Sequence, residues 1–109
     1  MTIELPRPIA DYFAADARQS SEAVAACFSE AAVVRDEGHI HSGREEIRRW
    51  KHESSTKYTY TAEPVSFASE GDRSVVTSHL VGDFPGSPTD LRYFFVLDGD
   101  KIAELEVIP

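Results

Sequence analysis

The stretch "VVRDEGHIHSGREEIRRW", Val33 to Trp50, supports two incompatible readings. His39, His41 and Glu46 have the spacing of a metal motif in which strand alternation turns both imidazoles to one face. The same residues also read as a strand end, a turn and a helix start beside an acid, Asp36. The local chemistry favours the second reading: Asp-Glu-Gly is turn sequence, and Ser42 followed by Glu45 is a capping box that opens a helix. A helix is therefore expected from about Gly43. Ile47, Trp50 and Ser54 share its inner side, and Arg44, Glu45, Arg48, Arg49 and His52 form a charged outer face on which Glu45 can pair with Arg49. The metal motif needs Glu46 on a strand and a further His after a Pro/Gly turn, but "DFPGSPTDL", Asp83 to Leu91, supplies the turn without the His. No metal is expected, and His39 and His41 are read as neutral hydrogen-bonding groups near a cavity rim.

Upstream, Pro6 and Pro8 suit a helix start, and Ile9, Tyr12, Phe13 and Asp16/Ala17 recur at helical spacing to about Arg18. Ser20 or Ser21 can cap a second helix with the stripe Val24, Cys27, Phe28 and Ala31, ending near Glu30. "AAVVRD", Ala31 to Asp36, is then a short strand. Downstream of Thr56 the period changes to alternation. "TKYTYTAEPVSFAS", "RSVVTSHLVGDF", "TDLRYFFVLD" and "KIAELEVI" read as four strands of an antiparallel meander, separated by "EGD", "PGSP" and "DGD". The fold class is α+β: three helices with one short strand among them, packed on a curved, mostly antiparallel sheet.

The chain has 109 residues, 41% of them hydrophobic and 28% charged, which suits one globular domain spanning 1–109. A net charge of −8 opposes attraction to phosphate backbones or anionic membranes, so neither nucleic acid nor a membrane is expected as a partner. Cys27 is the only cysteine, and it reads as a structural thiol in a reducing compartment. The start of the chain has no basic and apolar leader pattern, and no run of ~18 apolar residues occurs, so a cytoplasmic location is expected.

The order helix, helix, "F-x-E-x-A-V-V-x-D" (Phe28 to Asp36), "H-x-G-R-E-E-I-R-R-W" (His41 to Trp50), meander, and the closing "F-x-L-D-G-D-K-I" (Phe95 to Ile102) resembles the SnoaL-like branch of the NTF2-like superfamily. That resemblance implies a cystatin-like cone, a bent sheet wrapped around a long helix with an apolar pocket at its open end. It implies fold more narrowly than reaction, because the superfamily hosts isomerases, cyclases, epoxide hydrolases, dehydratases and non-catalytic binders.

One branch, the ketosteroid isomerases, is similar in finer detail. Its catalytic base closes the "A-x-V-x-D" motif, which falls on Asp36; its oxyanion-binding Tyr falls on Tyr12; its protonated Asp, before the final hairpin, falls on Asp90. The resemblance implies that Asp36 moves a proton next to a carbonyl while Tyr12 and Asp90 hold the enolate oxygen. Each residue also has a plainer reading: Tyr12 as core packing, Asp36 as a turn acid, Asp90 as a strand-start acid bonded to local backbone. Arg92 is expected on the same face as Asp90, where a guanidinium favours a carboxylate over a neutral donor. An Asp36, Arg92 and Asp90 set suits activation of a water, as in the limonene epoxide hydrolase branch.

His41, His79, Trp50 and Phe84 are further candidates for the pocket lining, with Tyr58 or Tyr60 beside them and core packing as the alternative for Trp50. The ligand expected is a small apolar carbonyl or epoxide compound, handled without a cofactor. Aromatics on both faces of "TDLRYFFVLD" imply a covered outer sheet face and hence a homodimer through the sheet.

Overall fold

The computed structural model describes residues 3–109. Helix α1 (Arg7–Ala17) begins behind Pro6, with Pro8 in its first turn. Ile9, Tyr12, Phe13 and Asp16 face inward from it at helical spacing. Helix α2 (Ser21–Ala26) is capped by Ser20, whose side chain accepts from the Ala23 N–H at 3.2 Å. This helix stops at Ala26 rather than near Glu30. The reason is tertiary: the Cys27 carbonyl accepts from the Ile102 N–H at 2.9 Å, and Phe28 pairs with Ile102, which pulls the chain into a strand. Strand β1 (Phe28–Asp36) is therefore longer than "AAVVRD", and Ala31, expected in a helical stripe, lies exposed on it.

Two strands rather than one stand between α2 and α3. The turn at Glu37 and Gly38, with φ of 52° and 78°, closes a tight hairpin that pairs Asp36 with His39 and returns as β2 (His39–Ser42). Both turn residues are left-handed, as a two-residue hairpin with the right twist requires. Helix α3 (Gly43–Lys57) follows, with Ile47, Trp50 and Lys51 buried. Its start is where the capping-box reading put it, but the bonds differ. The Ser42 side chain makes no cap; Glu46 reaches back to accept from the Ser42 N–H at 3.0 Å, leaving Glu45 to bind Arg48 at 2.6 Å. Arg49 lies farther from Glu45, at 4.0 Å.

The meander is as expected: β3 (Tyr60–Glu70), β4 (Arg73–Gly82), β5 (Thr89–Asp98) and β6 (Lys101–Ile108). The sheet runs β2-β1-β6-β5-β4-β3, antiparallel except where β6 lies parallel to β1. That pairing sets the first strand beside the last, so Asp36 pairs with Val107. Helices and inner sheet face enclose one core of Ile9, Tyr12, Phe28, Val34, Ile47, Val76, Phe95, Ile102 and Leu105, all fully buried. Each such aliphatic or aromatic side chain contributes roughly 1.5–3 kcal/mol by leaving water. None of the helices among the described residues is long and apolar enough to cross a membrane.

Candidate active site

A cavity of about 430 Å³ opens between α1, α3 and the β4–β5 end of the sheet. Its size falls within the roughly 300–1,000 Å³ of small-molecule sites. Leu80, Leu91, Val107 and Trp50 supply apolar wall, and Phe84 and Pro85 of the β4–β5 loop close one side. Phe84 packs edge-on against Tyr58 with ring centres 6.3 Å apart, so Phe84, expected as a lining residue, forms part of the cavity wall.

Asp36 stands half-buried on this wall, where β1 ends at the hairpin turn. Its Oδ2 accepts from the Trp50 indole N–H at 3.0 Å, and no protein donor to its other oxygen occurs among the described residues. Helix α3 crosses over β1, which is why a residue so close in sequence meets it. His41 lies behind the indole, tilted by 34° at 5.9 Å, and steadies Trp50 without being part of the cavity wall.

Tyr12 is fully buried and is also part of the cavity wall. Its hydroxyl accepts from Lys51 Nζ at 3.1 Å. Burial, reinforced by the carboxylates of Asp16 and Asp36, pushes the phenol well above its ordinary value, so it stays a neutral hydroxyl. Lys51 and Asp16 form a buried ion pair at 3.1 Å, with side chains only 5% and 4% exposed. Tyr60 donates to Asp16 at 2.9 Å and accepts from Lys51 at 3.4 Å. Burial disfavours the ammonium, but the Asp16 carboxylate and the tyrosine oxygens outweigh it, and Lys51 is pushed up to about 12.

Lys51 and the role of Asp16 are what the sequence reading missed. A signal existed: Ile47, Trp50, Lys51 and Ser54 follow i, i+3, i+4, i+7, which places the lysine on the inner stripe, and Tyr12 with Asp16 are one helical turn apart.

Asp90 is not in the cavity. Thr89, Leu91 and Tyr93 turn inward from β5, so Asp90 and Arg92 project from the opposite face. Asp90 pairs there with His79 at 2.7 Å, the two side chains 61% and 48% exposed. Arg92 lies over the Phe94 ring at 5.7 Å and reaches the Pro109 carbonyl at 3.5 Å. The expected second oxyanion donor and the Asp36, Arg92, Asp90 water-activating set are therefore both excluded by strand direction, and His79 is an outer-face residue. His39 is exposed, and Glu46 is occupied by the Ser42 backbone. Among the described residues no three His, Cys, Asp or Glu side chains converge as a metal site.

Solved structures similar to this chain carry the same architecture. A candidate polyketide cyclase from Sinorhizobium meliloti is 38% identical over 95% of each chain, with a TM-score of 0.90. A protein with a ketosteroid isomerase-like fold from Catenulispora acidiphila is 18% identical over 97% of this chain and 87% of that one, with a TM-score of 0.85. An NTF2-like protein from Cytophaga hutchinsonii is 13% identical over 99% and 93%, with a TM-score of 0.75. No curated protein matches the sequence. With the SnoaL-like domain matching residues 9–105, and a sheet and cavity of NTF2-like form beneath it, this chain belongs to the SnoaL-like family.

Proposed function

We propose that the chain is an acid/base enzyme of isomerase, cyclase or hydrolase type that acts on a small, largely apolar carbonyl or epoxide compound. One observation carries this reading. The cavity sets a carboxylate, Asp36, fixed through one oxygen by Trp50 and free at the other, into the same wall as a neutral phenol, Tyr12. A base and a hydrogen-bond donor facing one apolar space are what enolisation requires: the first takes a proton from carbon, the second holds the oxygen on which charge develops. The candidate cyclase among the similar structures supports a ring-closing variant, because an enolate formed in this way can attack a second carbonyl of the same molecule.

The experiment is turnover of a panel of enolisable ketones, polyketones and epoxides by the wild type and by Asp36→Asn. The substitution is nearly isosteric and is expected to abolish turnover with no loss of fold; undiminished turnover by the variant removes Asp36 as the base. The loss of Asp90 from the site favours a second reading, a ligand-binding module without chemistry. Saturable binding that survives Asp36→Asn, with no product across the panel, is its signature.

We also propose a homodimer through the outer sheet face, where Val81 and Val65 are 48% and 46% exposed beside the charged pairs. Sedimentation at micromolar concentration is expected to give twice the chain mass, and a monomer there contradicts it.

A further inference from the structure

Four polar groups meet at the closed end of the cavity, and nearly all of their hydrogens are spent on one another. Lys51 directs its ammonium protons at Asp16, the Tyr12 oxygen and the Tyr60 oxygen. Tyr60 gives its proton to Asp16. Only the Tyr12 hydroxyl proton has no acceptor among the described residues.

We propose that Lys51 is a positioning residue acting through Tyr12: it turns the phenol's proton toward the cavity as the donor for one ligand oxygen that bears negative charge, an enolate or a phenolate. This rests on the pocket reading above. The ammonium occupies one side of the phenol oxygen, so the phenol's own proton must lie on the other side. An oxygen that accepts from a cation becomes a stronger donor, and a charged acceptor makes the stronger hydrogen bond with it. Because Tyr12 is closed to bulk water, a ligand oxygen that reaches it meets that donor at low dielectric. A buried donor left without an acceptor is costly, and a ligand oxygen removes that cost.

Lys51 also borders the cavity, but its ammonium is turned to Asp16, Tyr12 and Tyr60 and it is not poised as a nucleophile. All its protons are committed, and with its value raised to about 12 it stays an ammonium at neutral pH. The Trp50 ring lies 4.4 Å beneath Nζ, so the charge is also held against the indole that fixes Asp36. One cation thus orders both the donor and the support of the base. A ligand that fits has a flat, apolar body against Leu80, Leu91 and Val107 and a single oxygen at the Tyr12 end.

The probes are 4-nitrophenol and its methyl ether, 4-nitroanisole, at a pH where the free phenol is mostly ionised. Their affinities are measured for the wild type, Tyr12→Phe, the paired variant Asp16→Asn/Lys51→Met, and Tyr60→Phe. The wild type is expected to prefer the phenol, and that preference to fall about tenfold in both Tyr12→Phe and the paired variant, while the ether binds all four proteins alike. Tyr60→Phe keeps the bond from Lys51 to Tyr12 and is expected to retain the preference. A wild type that favours neither probe overturns the proposal, as does a Tyr12→Phe protein or a paired variant with its preference intact. If the paired variant does not fold, Lys51→Arg, which keeps a counter-ion for Asp16 but moves the donor to Tyr12, takes its place, and a preference it keeps overturns the role of the lysine. The readout is binding, so absence of turnover in the Asp36 experiment leaves this result standing, and the reverse also holds.

Discussion

Lys51 and Asp16 are the residues whose environment departs furthest from their usual one. A charge taken out of water is tolerated here because a full complement of partners is present: carboxylate, two phenol oxygens and an indole face. The two charges are therefore interdependent. Lys51→Met leaves a buried carboxylate without its counter-ion and is expected to cost about 3–5 kcal/mol in urea denaturation. Asp16→Asn together with Lys51→Met removes both charges and is expected to cost less than Lys51→Met alone; a double variant as unstable as the sum of the two singles contradicts the coupling. Asp36 presents the opposite case. It needs no ion pair because it stays half in contact with the open cavity, and its one strong partner is the Trp50 indole.

At the scale of elements, the site depends on how two hairpins end. The β1–β2 turn places Asp36, and the open end of the β3–β4 hairpin, where Tyr60 stands opposite Gly82, places Tyr60 at the cavity. Gly82 is hemmed in there: a Cβ on it would stand 2.4 Å from the Thr59 carbonyl oxygen. Gly38, at φ of 78°, has nothing within 4 Å of the same position. Gly38→Ala is therefore expected to cost only the left-handed backbone term, about 1 kcal/mol. Gly82→Ala is expected to cost more, because backbone must move. Thermal denaturation that ranks them the other way contradicts this account. Helix starts were legible in the sequence where the signal is local: Pro6 and Pro8, Ser20, and Ser42 ahead of Gly43, though the carboxylate that bonds back is Glu46 and not Glu45. The end of α2 was not, because the Ile102 N–H that terminates it comes from the far end of the chain. The direction of β5 was not legible either. Tyr93, Phe94 and Phe95 are all buried in succession, so alternation gives no phase; Phe94 is covered on the outer face by the guanidinium of Arg73 at 4.4 Å. Without that phase Asp90 could be assigned to the pocket, and the structure places it beside His79 instead.

At the scale of the whole molecule, the buried polar end couples stability to pH. Tyr12, Tyr60 and Tyr93 are all raised by burial, and Lys51 is raised to about 12 against burial by Asp16 and its tyrosine neighbours. In each case the folded protein keeps a proton that the unfolded chain loses above about pH 10. The sign is therefore common to all of them: their contribution is full below that pH and is lost as pH rises through the folded values. Each group gives a slope of roughly 1.4 kcal/mol per pH unit over its window. Denaturation midpoints are expected to be flat from pH 7 to 9 as far as these groups are concerned, and to fall steeply from about pH 10 to 12, with a shallower fall in Asp16→Asn/Lys51→Met. An equally steep fall in that variant contradicts the assignment of Lys51.

The proton transfer assigned to Asp36 is tested most directly by exchange, which needs no knowledge of the natural substrate. 2-Tetralone, a flat ketone with acidic hydrogens beside its carbonyl, is incubated with the protein in heavy water and its deuteration is followed by proton NMR. The wild type is expected to accelerate deuteration by at least about 100-fold over buffer, and Asp36→Asn to return it to the buffer rate. Acceleration that survives Asp36→Asn, or a wild type no faster than buffer, contradicts the claim that this cavity moves a proton from carbon.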